Sequence, residues 1–326
     1  MLSQGKGDRR AALKEIAHST LHAIEKGVIS TQGTTHDITE RVRHSNKSTR
    51  FYSVTSQLST WRTSTLPSLT ATPTEISFLE VSTIDGVRLL SDIYKTNSPN
   101  NAKSGVLNFA SAKKVGGGFR SGAQSQEESI ARSSTLSSSL MTGTAQQFYT
   151  LHNRDPEGGY YSHSMIYSPS VLIFRDDAGN WIEPLEVDIL TSPAVNAGEV
   201  RRVARSGHTE ALEEEAKIEE VMKERMGRIL FLFQQQGTQN LVLGSFGTGA
   251  FKNKVSMVAR IWAELLVVEG ARFKNVFERV VFAILGKPTF DEFHSSFNEL
   301  AVPKESEHEG PYSIYLAVPP SAPTPD

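Results

Sequence analysis

The chain has 326 residues, of which 38% are hydrophobic, so it is long and apolar enough to bury a large core. Its formal net charge of −2 argues against a basic protein that coats nucleic-acid phosphates, and its lack of cysteine excludes disulfides, thiol catalysis and cysteine-ligated metal centres. No apolar run approaches the roughly 20 residues of a membrane-spanning helix or forms a secretory signal, which predicts an intracellular protein, cytoplasmic or nuclear, without membrane attachment.

A helix pattern opens the chain. Apolar residues recur at spacings of three and four from Leu13 to Ile24, and Gly27 stands where a C-terminal cap belongs. From 30 to 74 the composition shifts to Ser, Thr and Arg, which predicts an irregular, partly exposed connection. The expected organisation is an N-terminal helical extension with its connection over 1–74, a main domain over 75–300 and a loose C-terminal tail over 301–326.

Strand and helix signals alternate through the main domain. This alternation predicts an α/β fold in which helices cover both faces of one sheet. Two of the predicted strands run into glycine-rich turns, which makes their carboxyl ends the first places to look for a site. The predicted strands are 76–81, 106–110, 165–175, 186–191, 241–243 and 279–285, and the predicted helices are 84–94, 129–140, 209–235, 255–268 and 291–300.

Three consecutive glycines, Gly116, Gly117 and Gly118, follow the predicted strand 106–110. Because they carry no side chains, they let backbone amides approach a ligand, and they permit positive φ angles. In open α/β sheets, ligands bind beyond the carboxyl ends of strands, where this turn lies. A flexible surface loop explains three glycines about equally well when the motif is taken alone.

Gln126, Glu127 and Glu128 open the next predicted helix. Acidic residues in a first helical turn ordinarily complement the helix dipole, and for an isolated pair that interpretation is preferred. The glycine triplet nearby favours a catalytic use, in which one carboxylate binds sugar hydroxyls and the other, its pKa raised by the neighbouring charge, delivers a proton. Adjacent helical residues point about 100° apart, so this pair is not expected to flank one bond from opposite faces, as in most glycosidases.

A second glycine-rich turn, residues 244–251, follows strand 241–243 and precedes helix 255–268. The amides of such a turn, together with the positive end of the following helix, suit a phosphate. The turn has neither the dinucleotide-binding nor the Walker glycine pattern, and alone it is a weak phosphate signal. Its candidate binding residues are Gly244, Ser245, Phe246, Gly247, Thr248, Gly249 and Phe251.

The combined motifs resemble the microbial-type poly(ADP-ribose) glycohydrolases, a branch of the macrodomain superfamily. The family signature is a glycine triplet, a short spacer and then Gln-Glu-Glu, and here Phe119–Ser125 forms the spacer. Asn108 with the three residues after it, the segments 167–169 and 191–196, and the second glycine-rich turn also fit. One departure is Thr248, because many relatives have cysteine between these glycines.

The resemblance implies a three-layer α/β/α macrodomain with a mixed sheet, which hydrolyses ribose–ribose bonds in poly(ADP-ribose) and releases ADP-ribose. Glu128 would act as general acid and then as base, and Glu127 would orient the ribose hydroxyls. The implied partners are poly(ADP-ribose), ADP-ribose and ADP-ribosylated proteins, with no direct nucleic-acid specificity, and no cofactor or metal is implied. The implied substrate-binding residues are Asn108 and Gly116–Gly118 for the terminal ribose, 244–249 for the diphosphate, Phe251 for the adenosine end or the ribose, and Gln126.

Two other functions stay open from the sequence. Removal of mono-ADP-ribose from proteins would place a different leaving group at the same acid, and the sequence does not separate it from polymer hydrolysis. A macrodomain that binds ADP-ribose without catalysis is the second alternative. The intact Glu127–Glu128 pair argues against that binding module.

Overall fold

The structure is a computed structural model that describes residues 4–97, 103–154, 158–207 and 211–301. The predicted tail after residue 301 and the first two predicted residues of the helix 209–235 lie outside the described residues. Short 3-10 helices lie at Gln57–Thr60 and Phe119–Ser121. The described elements are α1 (Gln4–Lys26), β1 (Val28–Thr31), β2 (Thr34–Asp37), α2 (Thr39–Ser48), β3 (Arg50–Tyr52), β4 (Glu75–Leu79), α3 (Thr83–Asn97), β5 (Ser104–Phe109), α4 (Gln126–Ser133), α5 (Leu136–Leu140), α6 (Gly143–Asn153), β6 (Met165–Arg175), β7 (Trp181–Ser192), α7 (Ala197–Gly207), α8 (Ala211–Gln235), β8 (Asn240–Leu243), α9 (Val255–Leu266), β9 (Arg279–Ala283) and α10 (Lys287–Ala301).

Seven strands form one mixed sheet in the order β3-β6-β7-β5-β8-β9-β4. The neighbours from β7 to β4 are parallel, whereas β6 runs antiparallel to both β7 and β3. Parallel neighbours need crossover connections, and the helices between the strands supply them. The expected α/β fold, a mixed sheet covered by helices after an N-terminal helix, is confirmed.

Apolar side chains fill both faces of the sheet. Alternate residues of the central strands belong to different clusters, as the two-residue period of a strand requires. Val106 packs with residues of α3 to α6, whereas Leu107 packs with residues of α8 to α10. Each such fully buried aliphatic side chain stabilises the fold by about 1.5–3 kcal/mol. Among the described helices, none is long and apolar enough to cross a membrane.

The first predicted helix and its cap are confirmed. Gly27 follows α1 with a φ of +72°, and its N–H donates to the carbonyl of Ala23 at 2.9 Å. A positive φ at this position is the reason for glycine at the end of the helix. The helix packs on the main domain, where Ala17 contacts a small cluster with Phe119 and Ala131.

The prediction of an irregular connection over 30–74 is wrong in its first half. The segment contains the β1–β2 hairpin, the helix α2, and β3, which pairs with β6 at the edge of the main sheet. Neither α2 nor β3 carries a readable apolar pattern, because Ser45 is the buried residue of α2 and β3 has three residues. The expected domain boundary after residue 74 therefore separates β3 from the other strands of the same sheet.

The predicted helix 129–140 is wrong as a single element, because it consists of α4 and α5. Ser134 leaves the helical conformation with φ −147° and ψ 173°, and its hydroxyl donates to the Ile130 carbonyl at 2.6 Å. Serine side chains compete in this way with helical hydrogen bonds. The other predicted strands and helices are present, whereas α6 and α7 were not predicted.

Candidate active site

The loop that follows β5 and the second glycine-rich turn meet at one cleft of about 960 Å³. They follow β5 and β8, which are parallel neighbours, so both turns lie at the same edge of the sheet. Residues near the start of α3 and after β9 complete the lining. The predicted site residues that line the cleft are Gln126, Glu127, Glu128, Ser245, Gly247, Thr248, Gly249 and Phe251.

Gln126 attaches the start of α4 to the end of β5. Its Nε2 donates to the Leu107 carbonyl at 2.6 Å and to Thr83 Oγ1 at 3.2 Å, and its Oε1 accepts from the Phe109 N–H at 2.8 Å. The side-chain amide thus pairs with the backbone of β5 much as a neighbouring strand would. Both ends of the amide are occupied within the protein, and these contacts fix the position of the glutamates that follow.

Glu127 is the more buried of the two glutamates, with 2% of its surface exposed. Its Oε2 accepts from the Ser111 N–H at 2.7 Å, and its Oε1 accepts from Asn108 Nδ2 at 3.4 Å. Burial raises the pKa of Glu127 to about 8, and the charge of Glu128 adds to this, while the two hydrogen bonds oppose it. A carboxyl group with this pKa is mainly protonated at neutral pH and is therefore able to donate a proton.

Glu128 is held by the residues around the glycine triplet. Its Oε1 accepts from the Gly118 N–H at 2.8 Å, and its Oε2 accepts from the Ser125 hydroxyl. With 8% of its surface exposed, Glu128 is less buried than Glu127. Both carboxyl groups face Gly117, because a Cβ there would lie 2.3 Å from Glu128 Oε1 and 3.0 Å from Glu127 Oε2. The two glutamates therefore converge on one glycine.

Asn108 and the glycine triplet lie behind the lining of the cleft. Asn108 is fully buried, and its Nδ2 also donates to Thr191 Oγ1 at 3.2 Å. Its Oδ1 is buried without a hydrogen-bond partner among the described residues. An unpartnered buried acceptor costs about 1–3 kcal/mol, so this atom beside the glutamates favours a donor from a ligand or water. Gly116, with φ +61°, packs against Phe119.

The second glycine-rich turn is tied to the segment after β7. Asn253 Nδ2 donates to the Gly247 carbonyl at 3.0 Å and to the Val195 carbonyl at 2.7 Å. Gly247 has a φ of +75°, and a Cβ there would lie 2.3 Å from the Cβ of Ala194. The N–H groups of Gly247 and Gly249 make no hydrogen bond with other described residues. Unpaired amides in a turn of this kind suit an anion.

Two predicted binding residues of this turn lie inside the protein. Phe246 is fully buried, and its ring packs on Phe109 with the centroids 5.6 Å apart. The Gly244 carbonyl accepts from Trp262 Nε1 at 3.2 Å, and a Cβ on Gly244 would lie 2.7 Å from the Ala283 carbonyl oxygen. Both residues support the turn from behind, whereas Phe251 reaches the cleft.

Comparisons with known proteins decide the family. Residues 17–176 match a family model described as microbial-type PARG, catalytic domain. A crystal structure of poly(ADP-ribose) glycohydrolase (PARG) from Thermomonospora curvata is similar, with a TM-score of 0.76 and 34% identity over 89% of this chain and 99% of that chain. The chain belongs to the microbial-type PARG family.

Two further PARG structures are similar to this chain, and both contain a ligand. The Thermomonospora curvata PARG bound to the inhibitor ADP-HPD has a TM-score of 0.74 and 34% identity, over 89% of this chain and 99% of that one. The Deinococcus radiodurans PARG in complex with ADP-ribose has a TM-score of 0.66 and 31% identity, over 83% of this chain and 100% of that one. No curated protein gives a significant sequence match.

Thr248 departs from the microbial-type PARG pattern, but the second glycine-rich turn keeps its internal hydrogen bonds with threonine at this position. The Thr248 hydroxyl donates to the Ser245 carbonyl at 3.0 Å, and its N–H donates to the same oxygen at 3.3 Å. The turn is thus held by threonine contacts that need no thiol.

Several residues of this PARG cleft were missed by the sequence analysis. Asp177, from the turn between β6 and β7, accepts a hydrogen bond from the Ser82 hydroxyl, and burial raises its pKa. Arg9 and Leu13 reach the cleft from α1. No motif marks these residues, because elements far apart in the chain bring them together. The one sequence signal that could have pointed to further cleft residues was that β4 and β9 end at the same sheet edge as β5 and β8.

Proposed function

We propose that this chain hydrolyses ribose–ribose O-glycosidic bonds of poly(ADP-ribose) and releases ADP-ribose, with Glu128 as general acid and then base. Family membership supports the reaction class. The observation that carries the proposal is the shared cleft, in which the glutamate pair and the second glycine-rich turn face the same space. A sugar next to a diphosphate is the chemistry that these two features suit.

ADP-ribose fits this cleft with its diphosphate at Gly247 and Gly249 and its terminal ribose at the glutamate pair. Unpaired N–H groups at the turn are donors for phosphate oxygens. Glu127 and the buried Oδ1 of Asn108 supply hydrogen-bonding groups at the ribose end. The relatives solved with ADP-ribose and ADP-HPD support a ligand of this class.

The proton comes from the glutamate pair. The two carboxyl groups converge on Gly117, and burial raises the pKa of Glu127 so that this residue holds a proton at neutral pH. The nearby diphosphate adds negative charge and displaces water, and both effects favour the protonated form of Glu127. As the glycosidic bond breaks, Glu127 gives this proton to Glu128, the less buried of the two, and Glu128 gives a proton to the departing ribose oxygen.

The second half of the reaction returns a proton to the glutamate pair. The ribose left by bond cleavage has oxocarbenium character, and the negative carboxylate beside it stabilises that charge. Glu128 then accepts a proton from a water molecule, whose oxygen bonds to the anomeric carbon. The products are ADP-ribose and a polymer shortened by one unit, and the glutamate pair holds one proton again.

Replacement of Glu128 tests this assignment. Glu128→Gln keeps the size and the acceptor for Gly118 but removes the titrating group, so we expect kcat on poly(ADP-ribose) to fall at least about a hundredfold. Calorimetry should give a Kd for ADP-ribose within a few fold of the parent value. Glu213→Gln, at an exposed position in α8, is the matched control. Full activity in Glu128→Gln would remove Glu128 from the reaction.

We also propose ADP-ribosylated proteins as the carriers of the polymer and an intracellular location. The absence of cysteine supports a reducing compartment. For the alternative of a binding module without catalysis, the buried, largely protonated Glu127 is an unfavourable observation, because binding alone does not need a carboxyl group held neutral.

A further inference from the structure

Helix α1 contributes to the cleft and is firmly attached beside it. Arg10 Nε donates to the Ser121 carbonyl at 2.8 Å. Gly122, with φ +74°, packs so closely on α1 that a Cβ would lie 2.5 Å from the Arg10 carbonyl oxygen. Both contacts fall in the segment between the glycine triplet and the glutamate pair. The first turns of α1 are therefore fixed against the segment that carries the acid.

A second attachment holds α1 to the helix of Glu128. The Thr20 hydroxyl donates to the Arg132 carbonyl at 2.6 Å, near the end of α4. Arg175 Nε donates in turn to Thr20 Oγ1 at 2.8 Å, and Arg175 Nη2 donates to Ser19 Oγ at 2.8 Å. Contacts at two points along α1 fix its orientation, so the residues that it presents to the cleft have defined positions.

Two cationic residues line the cleft, Arg9 and Arg132. Arg132 is 5% exposed, and its guanidinium is occupied by the Ala123 carbonyl at 2.5 Å. Arg9 is exposed and makes no hydrogen bond or ion pair with other described residues. Its guanidinium, with five N–H donors, is therefore available to a ligand.

The charges of Arg9 and Glu128 both act on the guanidinium of Arg132, which also lines this cleft. Burial lowers the pKa of Arg132, and the positive charge of Arg9 lowers it further, whereas Glu128 and Asp177 raise it. Asp85 also lines this cleft, and its carboxylate is paired with Arg88 at 3.0 Å. Among the lining residues, Arg9 is the exposed group that attracts an anion.

We propose that Arg9 binds a phosphate of the departing ADP-ribose unit. This contact makes α1 favour poly(ADP-ribose) over mono-ADP-ribosylated proteins as the substrate. The inference rests on the proposed function. The bond that Glu128 protonates joins two units, and the terminal one extends towards Gly247. The departing unit, which carries its own diphosphate, lies beyond Glu128, and α1, which is fixed to the segment before Glu128, supplies Arg9 to the same cleft. A mono-ADP-ribosylated side chain has no phosphate at that position.

Charge reversal at Arg9 tests the contact. Arg9→Glu should lower kcat/KM for poly(ADP-ribose) about three- to tenfold, the scale of an exposed ion pair that becomes a repulsion, and the loss should shrink at high salt. Arg9→Lys should retain most of the activity. Lys14→Glu, an exposed position on α1 that does not line the cleft, is the matched control and should behave like the parent protein.

The affinity for ADP-ribose, measured by calorimetry, shows whether Arg9 contacts the terminal unit or the departing unit. ADP-ribose occupies only the terminal position, so Arg9→Glu should leave its Kd within about twofold of the parent value. An equal loss of ADP-ribose affinity would place Arg9 at the terminal unit and overturn the proposal, as would unchanged kcat/KM on polymer.

A binding measurement without turnover separates this proposal from the proposed function. In proteins that carry Glu128→Gln, adding Arg9→Glu should weaken poly(ADP-ribose) binding about three- to tenfold. Equal polymer affinities would overturn the role of Arg9. A parent protein that binds polymer through Arg9 but does not cleave it would refute the proposed hydrolysis and leave the phosphate contact intact.

Discussion

Gly117 lies directly against the carboxyl group of Glu128, such that a Cβ on Gly117 would stand 2.3 Å from Glu128 Oε1. The same Cβ would lie 3.0 Å from Glu127 Oε2, so one missing side chain makes room for both carboxyl groups. The glycine triplet thus serves the acid pair as well as any ligand. Its central residue, Gly117, allows the carboxyl groups of two adjacent glutamates to pack against the same point of the backbone.

Gly117→Ala should displace Glu128 and lower kcat on poly(ADP-ribose) by about a hundredfold, the cost of misplacing a catalytic group by about 1 Å. The φ of +59° adds roughly 1–2 kcal/mol of strain, which thermal unfolding would detect. Gly143→Ala is the control, because nothing lies within 4 Å of a Cβ there. Parent-like turnover in Gly117→Ala would mean that the glutamate geometry in the structure is not needed for catalysis.

Activity should fall as the pH rises through about 8. The pKa of Glu127 is raised from its ordinary 4.5 to about 8, so the pair keeps its proton at neutral pH and loses it above that value. Above about pH 8, kcat should decline about tenfold for each pH unit. Initial rates on polymer between about pH 6 and pH 10 measure this limb, and a flat profile across that range would exclude the pair as the proton source.

The same ionisation should appear in the stability. Since the folded protein holds the Glu127 proton more tightly than the unfolded chain, its stabilising effect is complete below about pH 4.5 and is lost as the pH rises to about 8. The slope is at most about 1.4 kcal/mol for each pH unit. Denaturant unfolding of Glu127→Gln supplies the control, because this contribution to the slope should be missing from that variant.

Gly247→Glu should abolish ADP-ribose binding in calorimetry. The side chain would clash with Ala194, adopt an unfavourable φ and bring a negative charge to the diphosphate position. Gly237→Glu is the matched control, since Gly237 has a φ of +68° but nothing lies within 4 Å of a Cβ there. That variant should lose roughly 1–2 kcal/mol of stability and still bind ADP-ribose. Retained affinity in Gly247→Glu would place the diphosphate elsewhere.

Local sequence signals were sufficient for the main elements and for the order of the motifs. The strands at β5 and β8 follow from short apolar runs that lead into glycine-rich turns, and parallel strands bring such ends to one edge. The spacing between Gly118 and Gln126 marked the glutamate pair. These features depend on residues close together in the chain, which is why they are readable there.

Features that depend on tertiary packing were not readable. The two glutamates were expected to act together on one face, but the close approach of both carboxyl groups to Gly117 depends on the space that this glycine leaves. Phe246 belongs to the right turn, but its burial against Phe109 keeps it out of the cleft. Arg9 reaches the cleft only because α1 docks on a segment more than a hundred residues further along the chain.

Helix α4 is attached at both of its ends. Gln126 bonds to β5, and just beyond the other end the Thr135 N–H donates to the Leu172 carbonyl at 2.9 Å, while Leu172 N–H donates to Thr135 Oγ1 at 3.0 Å. Such a helix has little conformational freedom left to lose when substrate arrives. Rigid inhibitors that reproduce the fixed spacing between an acid and a diphosphate seat should consequently gain more affinity here than flexible ones of the same composition.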